Sequence, residues 1–88
     1  MKVNELLNVL IKRAEDFGLN NQDIHHSKEF LLHYEFELCL DHVATQLYEF
    51  DLRIDLELYN LILEISHKLK IDTEKYSFIR ELIFTDYI

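Results

Sequence analysis

The sequence predicts an all-α fold: a small bundle of four to five helices, formed as one domain over residues 1–88. Three observations predict it. The chain has no proline and a single glycine, Gly18, whereas a β-sandwich or barrel needs a tight turn about every ten residues, built from Gly, Pro or Asn-Gly pairs. Apolar residues recur at three- and four-residue spacing along most of its length. Hydrophobic residues make up 49 % of the chain, five tyrosines and six phenylalanines among them, which is enough for one core; 88 residues leave no room for a second.

The elements follow in order. Residues 3–17 read as a helix, with Val3, Leu7, Leu10, Ala14 and Phe17 on one stripe and Gly18 suited to a left-handed C-cap. Leu19-Asn20-Asn21 is a short turn. Asn20 or Asn21 caps a second helix, with Asp23 near its positive end. That helix runs to about Leu32 or His33. No breaker stands between His33 and Phe36, so the boundary there is open. A third helix covers about Glu35 to Phe50. Phe36, Leu40, Val43, Leu47 and Phe50 form its buried stripe with Cys39 beside them, and Glu37, Leu38, Asp41, Thr45, Tyr48 and Glu49 lie on or near the opposite side.

Asp51-Leu52-Arg53-Ile54 reads as an extended connector. Asp55 is the N-cap of a fourth helix with Glu57 in its first turn, and Lys68 and Lys70 suit its negative end. Leu58, Leu61, Ile62, Ile65 and Leu69 make one apolar stripe, while Leu56, Tyr59 and Leu63 lie off it. A helix apolar on two sides is packed on two sides, which places this one centrally. Asp72 or Thr73 caps a fifth helix from about Glu74 to Phe84, with Tyr76, Ile79, Ile83 and Tyr87 on one face.

Charge is concentrated in the middle of the chain. The net charge is −8, of which residues 29–57 carry −7: eight acids, Glu29, Glu35, Glu37, Asp41, Glu49, Asp51, Asp55 and Glu57, against Arg53 alone. Such a field disfavours a nucleic-acid partner and favours a basic protein. A solvated, solubilising surface is the plainer use of the same charge. The lone cysteine, Cys39, excludes an internal disulfide and a zinc site built from several thiolates. No secretory signal is visible and no run approaches the roughly 18 apolar residues of a membrane span, so the expected compartment is the cytoplasm and no membrane partner is expected.

The residues offer little for catalysis. Glu64-Ile65-Ser66-His67 has the Glu-x-x-His spacing of di-iron bundles, but those sites need two such motifs and two further glutamates, all facing the core. His25 with Glu29, and His33 with Glu37, are i,i+4 spacings typical of surface pairs. There is no Gly-rich phosphate loop and no nucleophile elbow, and Cys39 sits on an apolar stripe. The expectation is therefore no catalytic residue, no metal and no cofactor. What remains is recognition. Around the connector, Gln46 to Asp55 mixes aromatics with carboxylates between two helices, the composition of an interface core and its rim. The candidate partner-binding residues are Glu37, Asp41, Tyr48, Glu49, Asp51, Asp55, Glu57 and Tyr59.

The same stretch resembles the MafI-type immunity proteins of bacterial polymorphic toxin systems, which act in contact-dependent growth inhibition and related competition. The resemblance rests on Glu35-Phe36-Glu37-Leu38-Cys39, on Leu47-Tyr48-Glu49-Phe50-Asp51-Leu52-Arg53-Ile54, and on Tyr59-Asn60-Leu61-Ile62. The Leu-Tyr-Glu-aromatic-Asp core is its most specific part. The family's glycine after the acid-aromatic pair is replaced here by Glu37. What the resemblance implies is a small helical inhibitor that binds a cognate toxin domain, commonly a nuclease, in the cell that makes it. A nuclease cleft is basic, which agrees with the charge map. The rival readings are an acidic adaptor or regulatory module unrelated to toxins, and a small metal-binding bundle.

Overall fold

The structure is a computed structural model and describes residues 1–84. Four α-helices, α1 (Val3–Asp16), α2 (Asn21–Leu32), α3 (Phe36–Glu49) and α4 (Leu56–Lys68), are followed by a 3-10 helix, Thr73–Leu82. No strand occurs among the described residues; the sole pairing outside the helices is an isolated parallel bridge between Ile54 and Ile83. No described helix is long and apolar enough to cross a membrane.

Side chains set the starts of α2 and α4, whereas α3 begins after Glu35 with no side-chain cap. Asn20 accepts from the Asp23 amide at 2.9 Å and Asp55 accepts from the Leu58 amide at 2.8 Å, each satisfying an amide that the first turn leaves without a partner. The Glu5 carboxylate accepts from the Lys2 amide at 2.8 Å ahead of α1.

All four α-helices end in the same way. After each, one residue turns left-handed: Gly18 (φ 112°), Tyr34 (φ 60°), Asp51 (φ 51°) and Lys70 (φ 61°). Two crossed backbone bonds then close the end. After α1 they are Gly18 N–H to Glu15 and Leu19 N–H to Ala14; after α2, Tyr34 to Leu31 and Glu35 to Phe30; after α3, Asp51 to Tyr48 and Leu52 to Leu47; after α4, Lys70 to His67 and Ile71 to Ser66. This is the Schellman closure, usually made with glycine. Only the first has one, which is why the α2–α3 boundary carries no visible breaker.

The core runs through every element. It includes Leu7, Leu10 and Ala14 of α1, Ile24 of α2, Leu40, Val43 and Leu47 of α3, Leu58, Ile62 and Ile65 of α4, and Tyr76, Ile79 and Leu82. The central helix is α3, which packs on all the others; α4 packs on α1, α3 and the 3-10 helix. The expected central place of α4 is therefore corrected, although it is packed on more than one side as its pattern required.

Three further expectations change. Phe50 leaves the buried stripe and is 52 % exposed, because it is the C-cap of α3 and the backbone turns away there. Tyr59, off the main stripe of α4, is 7 % exposed, because the 3-10 helix closes over that side and Arg80 lies above its ring. The fifth element is a 3-10 helix with a kink at Tyr76, not an α-helix. Its buried residues, Tyr76, Ile79 and Leu82, stand three apart, the spacing that one edge of a 3-10 helix aligns. Tyr87, placed by its pattern on the fifth helix, lies outside the described residues.

The connector, expected to be extended from Asp51 to Ile54, instead begins with Asp51 in the left-handed turn that closes α3; at Ile54 it forms an isolated bridge and is held from an unforeseen direction. The Ile54 amide donates to Leu82 and its carbonyl accepts from Phe84. The Arg53 guanidinium donates to the Glu81 carbonyl at 3.1 Å. The end of the 3-10 helix, at Glu81 and Leu82, together with Phe84 beyond it, thus clamps the α3–α4 connector in place.

Candidate functional site

The eight candidate residues fall into three groups. The first is a corner at the C-terminal end of α3. Tyr48 is 43 % exposed, its ring set edge-on against Phe78 with centroids 5.0 Å apart. Its hydroxyl donates to Glu81 at 3.2 Å. That hydrogen bond, the Glu81 charge and the nearby Asp51 charge push its phenol above the ordinary value. Glu49 is exposed beside it. Asp51 occupies the left-handed position after the helix and meets Arg53 at 3.5 Å on the surface. Phe50, exposed, lies between them in sequence. Tyr48, Glu49, Asp51 and Glu81 thus make an exposed aromatic corner bearing three carboxylates, of which Asp51 is partly neutralised by Arg53.

The second group lies nearer the start of α3. Glu37 and Asp41, one turn apart, share Lys75 at 3.5 and 3.9 Å. Asp41 also accepts from the Tyr76 hydroxyl at 3.2 Å. Burial, reinforced by the Asp41 and Glu37 charges, pushes the Tyr76 phenol well above its ordinary range. This patch is acidic but partly neutralised, and it fastens the 3-10 helix to α3.

The third group is at the start of α4, on the α1 side. Asp55 caps α4 and also takes a 2.7 Å hydrogen bond from Arg13. Glu57 is more exposed, 3.9 Å from the same guanidinium. Tyr59 belongs to no exposed surface: it is buried, and its hydroxyl accepts from Arg80 at 3.2 Å. Its assignment as a contact residue is corrected, since a buried ring offers a partner no area.

Sequence reasoning missed Glu81, which reaches the corner only because the 3-10 helix returns alongside α3. It also missed a polar cluster between α2 and α3. Asp23, 6 % exposed, accepts from Asn20 at 2.9 Å, from Gln46 at 3.1 and 3.2 Å, and meets His42 Nε2 at 3.1 Å. His26 and His42 stand ring to ring with centroids 5.7 Å apart. Burial alone would raise the Asp23 pKa, but hydrogen bonds from Gln46, Asn20 and His42 and the His42 charge outweigh it and hold the carboxyl below its ordinary value. The one signal in the sequence was Asp23 and His26 at i,i+3 on a helix.

The other histidine pairs turn out as surface features or do not form. His25 and Glu29 meet at 3.6 Å, both exposed. His33 is the C-cap of α2 while Glu37 lies in α3, and His33 Nδ1 instead lies 2.9 Å from the Glu29 carbonyl. Glu64 and His67 are exposed. Cys39 is fully buried, its thiol donating to the Ser27 carbonyl at 3.3 Å, and burial pushes it up to about 12.

No known protein family, curated protein or solved structure matches the chain.

Proposed function

We propose that this chain is an immunity protein: it binds a cognate bacterial toxin domain in the cytoplasm of the producing cell and neutralises it without catalysing a reaction. The observation that carries the reading is the acid-aromatic corner of Tyr48, Glu49 and Asp51, in the most acidic stretch of the chain, joined by Glu81 from the 3-10 helix. An aromatic ring amid carboxylates suits a basic cleft: the ring brings area at low entropic cost, and the charges steer encounter. A toxin that cleaves nucleic acid carries such a cleft because it must hold phosphates. The inhibitor then acts by occlusion, its carboxylates standing where the phosphates would lie.

Glu37 and Asp41 extend the acidic surface along α3 but are less available, since Lys75 partly neutralises them. Asp55 and Glu57 contribute field more than contact, because Arg13 engages both. The experiment that tests the reading is co-expression with the C-terminal domain of a secreted protein encoded beside this chain, scored for growth. Rescue by this chain, lost on disrupting the corner, supports the proposal. Failure to rescue any neighbouring toxin domain favours an acidic adaptor instead.

A further inference from the structure

Between α2 and α3 lies a cluster that partner binding does not explain. One ligand atom each from Asp23, His26 and His42 can be chosen so that all lie within 4.8 Å of one another. Two imidazoles and one carboxylate form a donor set suited to zinc and its neighbours in the first transition row. From this arrangement we infer a binding site for a divalent transition-metal ion, represented by Zn2+, formed by Asp23 and His26 of α2 and His42 of α3.

Three features support it. Asp23 is a buried carboxylate, and among the described residues no lysine or arginine pairs with it. Its compensation is hydrogen bonds from Asn20 and Gln46 and the facing His42 ring, and a divalent cation between Asp23 and a neutral His42 supplies a full countercharge in place of the ring's. His26 is half-buried and forms no hydrogen bond among the described residues, although it faces His42 across the helix pair. A ring held in that place without a partner is free to coordinate. Finally, Asn20 and Gln46 donate to the Asp23 carboxylate. Donors of this kind fix a ligating carboxylate in orientation.

The geometry needs a small contraction. Ligand atoms about 2.0–2.2 Å from a tetrahedral ion stand about 3.3 Å apart. The 3.1 Å separation of Asp23 and His42 already fits, and the His26 nitrogen, within 4.8 Å of the other two ligand atoms, is the one that has to move closer. Three protein ligands leave a fourth position open to water or to a group from outside the chain. Because the ligands come from two helices, the ion ties α2 to the central helix and stabilises the folded chain by mass action.

The test uses the full chain stripped with a chelator, then titrated with Zn2+ and, separately, Co2+. Expected are one ion per chain, a raised thermal midpoint, a tetrahedral Co2+ absorption band, and shifts confined to the ring resonances of His26 and His42. His26→Ala loses no hydrogen bond and should fold, with affinity at least tenfold weaker. Removing the exposed histidines together, His25→Ala, His33→Ala and His67→Ala, should leave affinity unchanged. Absence of binding in the parent overturns the site. So does binding that survives His26→Ala, or that disappears with the three exposed histidines. Rescue from a toxin is a separate readout, so loss of the metal site leaves the proposed function standing.

Discussion

Arg13 and Asp55 meet at 2.7 Å across 42 residues of chain, and the second oxygen of the same carboxylate caps α4. One side chain therefore fixes where α4 begins and how it sits against α1. The pair is half exposed, at 31 % and 42 %, so solvent screens it and its share is under about 1 kcal/mol. The cap is worth about 1 kcal/mol. Asp55→Ala should thus cost about 1–2 kcal/mol in urea unfolding. Asp55→Asn keeps a capping oxygen and should cost less than about 1 kcal/mol. Equal losses in the two variants would mean that the ion pair, not the cap, carries the effect.

Three helices close on a non-glycine residue in the left-handed region, where an L side chain crowds the following carbonyl at about 1–2 kcal/mol. Lys70 is exposed, so replacing it removes strain with little loss of packing. Glycine returns part of the gain through a more flexible unfolded chain. Lys70→Gly should stabilise the protein by about 0.5–1 kcal/mol, a rise of several degrees in thermal midpoint for a domain of this size. A fall in midpoint would show that Lys70 makes contacts worth more than its strain.

Those left-handed residues also mark the limit of what the sequence reveals. Helix interiors were legible because their apolar stripes repeat at 3.6 residues, and three starts were legible because Asn20, Asp55 and Asp72 cap them. The ends of α2, α3 and α4 fall within two residues of where their stripes stop, but the left-handed closures at Tyr34, Asp51 and Lys70 were not legible; only the one at Gly18 was. The candidate site divides likewise. Tyr48, Glu49 and Asp51 fall within four consecutive residues and share one corner. Glu81 joins them, and Asp23 meets His42, only through packing between elements distant in sequence, which spacing within a helix does not encode.

Cys39 ties stability to alkaline pH. Burial pushes its thiol up to about 12, while the unfolded thiol ionises near 8.5. The folded state holds the proton more tightly, so this contribution is fully present below the unfolded value and is lost as pH rises towards the folded one. Between about pH 9 and 10, before unfolded tyrosines ionise, stability should fall by up to about 1.4 kcal/mol per pH unit through this group. Cys39→Ala should flatten that slope, measured by denaturant midpoints across pH, while partner binding persists. Loss of binding with the fold intact would make the thiol functional.

Long-range charge should show in association kinetics. Steering acts over a Debye length of about 8 Å at physiological salt and is screened as ionic strength rises. The on-rate for the toxin domain should drop steeply between about 50 and 500 mM salt, with a weaker change in off-rate. A flat on-rate would argue against a basic partner.

The sharpest test falls on the corner itself. Glu49 and Asp51 flank Phe50 at the end of α3, and neither caps a helix start nor packs the core. Changing both to lysine would be ambiguous, because Asp51 has φ 51°, a conformation that aspartate and asparagine tolerate better than lysine. Glu49→Lys with Asp51→Asn avoids this: one charge is reversed, the other removed, and the left-handed turn is kept. A carboxylate desolvated against lysine or arginine costs about 2–5 kcal/mol in affinity when lost, and a rim carboxylate far less. The double variant should therefore bind the toxin at least about tenfold more weakly, roughly 1.4 kcal/mol, with unchanged helical circular dichroism. Adding Glu81→Gln should weaken it further, since Glu81 holds the Tyr48 hydroxyl at 3.2 Å and bears the third carboxylate of the corner. If the double variant binds like the parent, the contact surface lies instead along α3 at Glu37 and Asp41. There, Lys75→Ala would tighten binding by freeing both carboxylates from their shared cation.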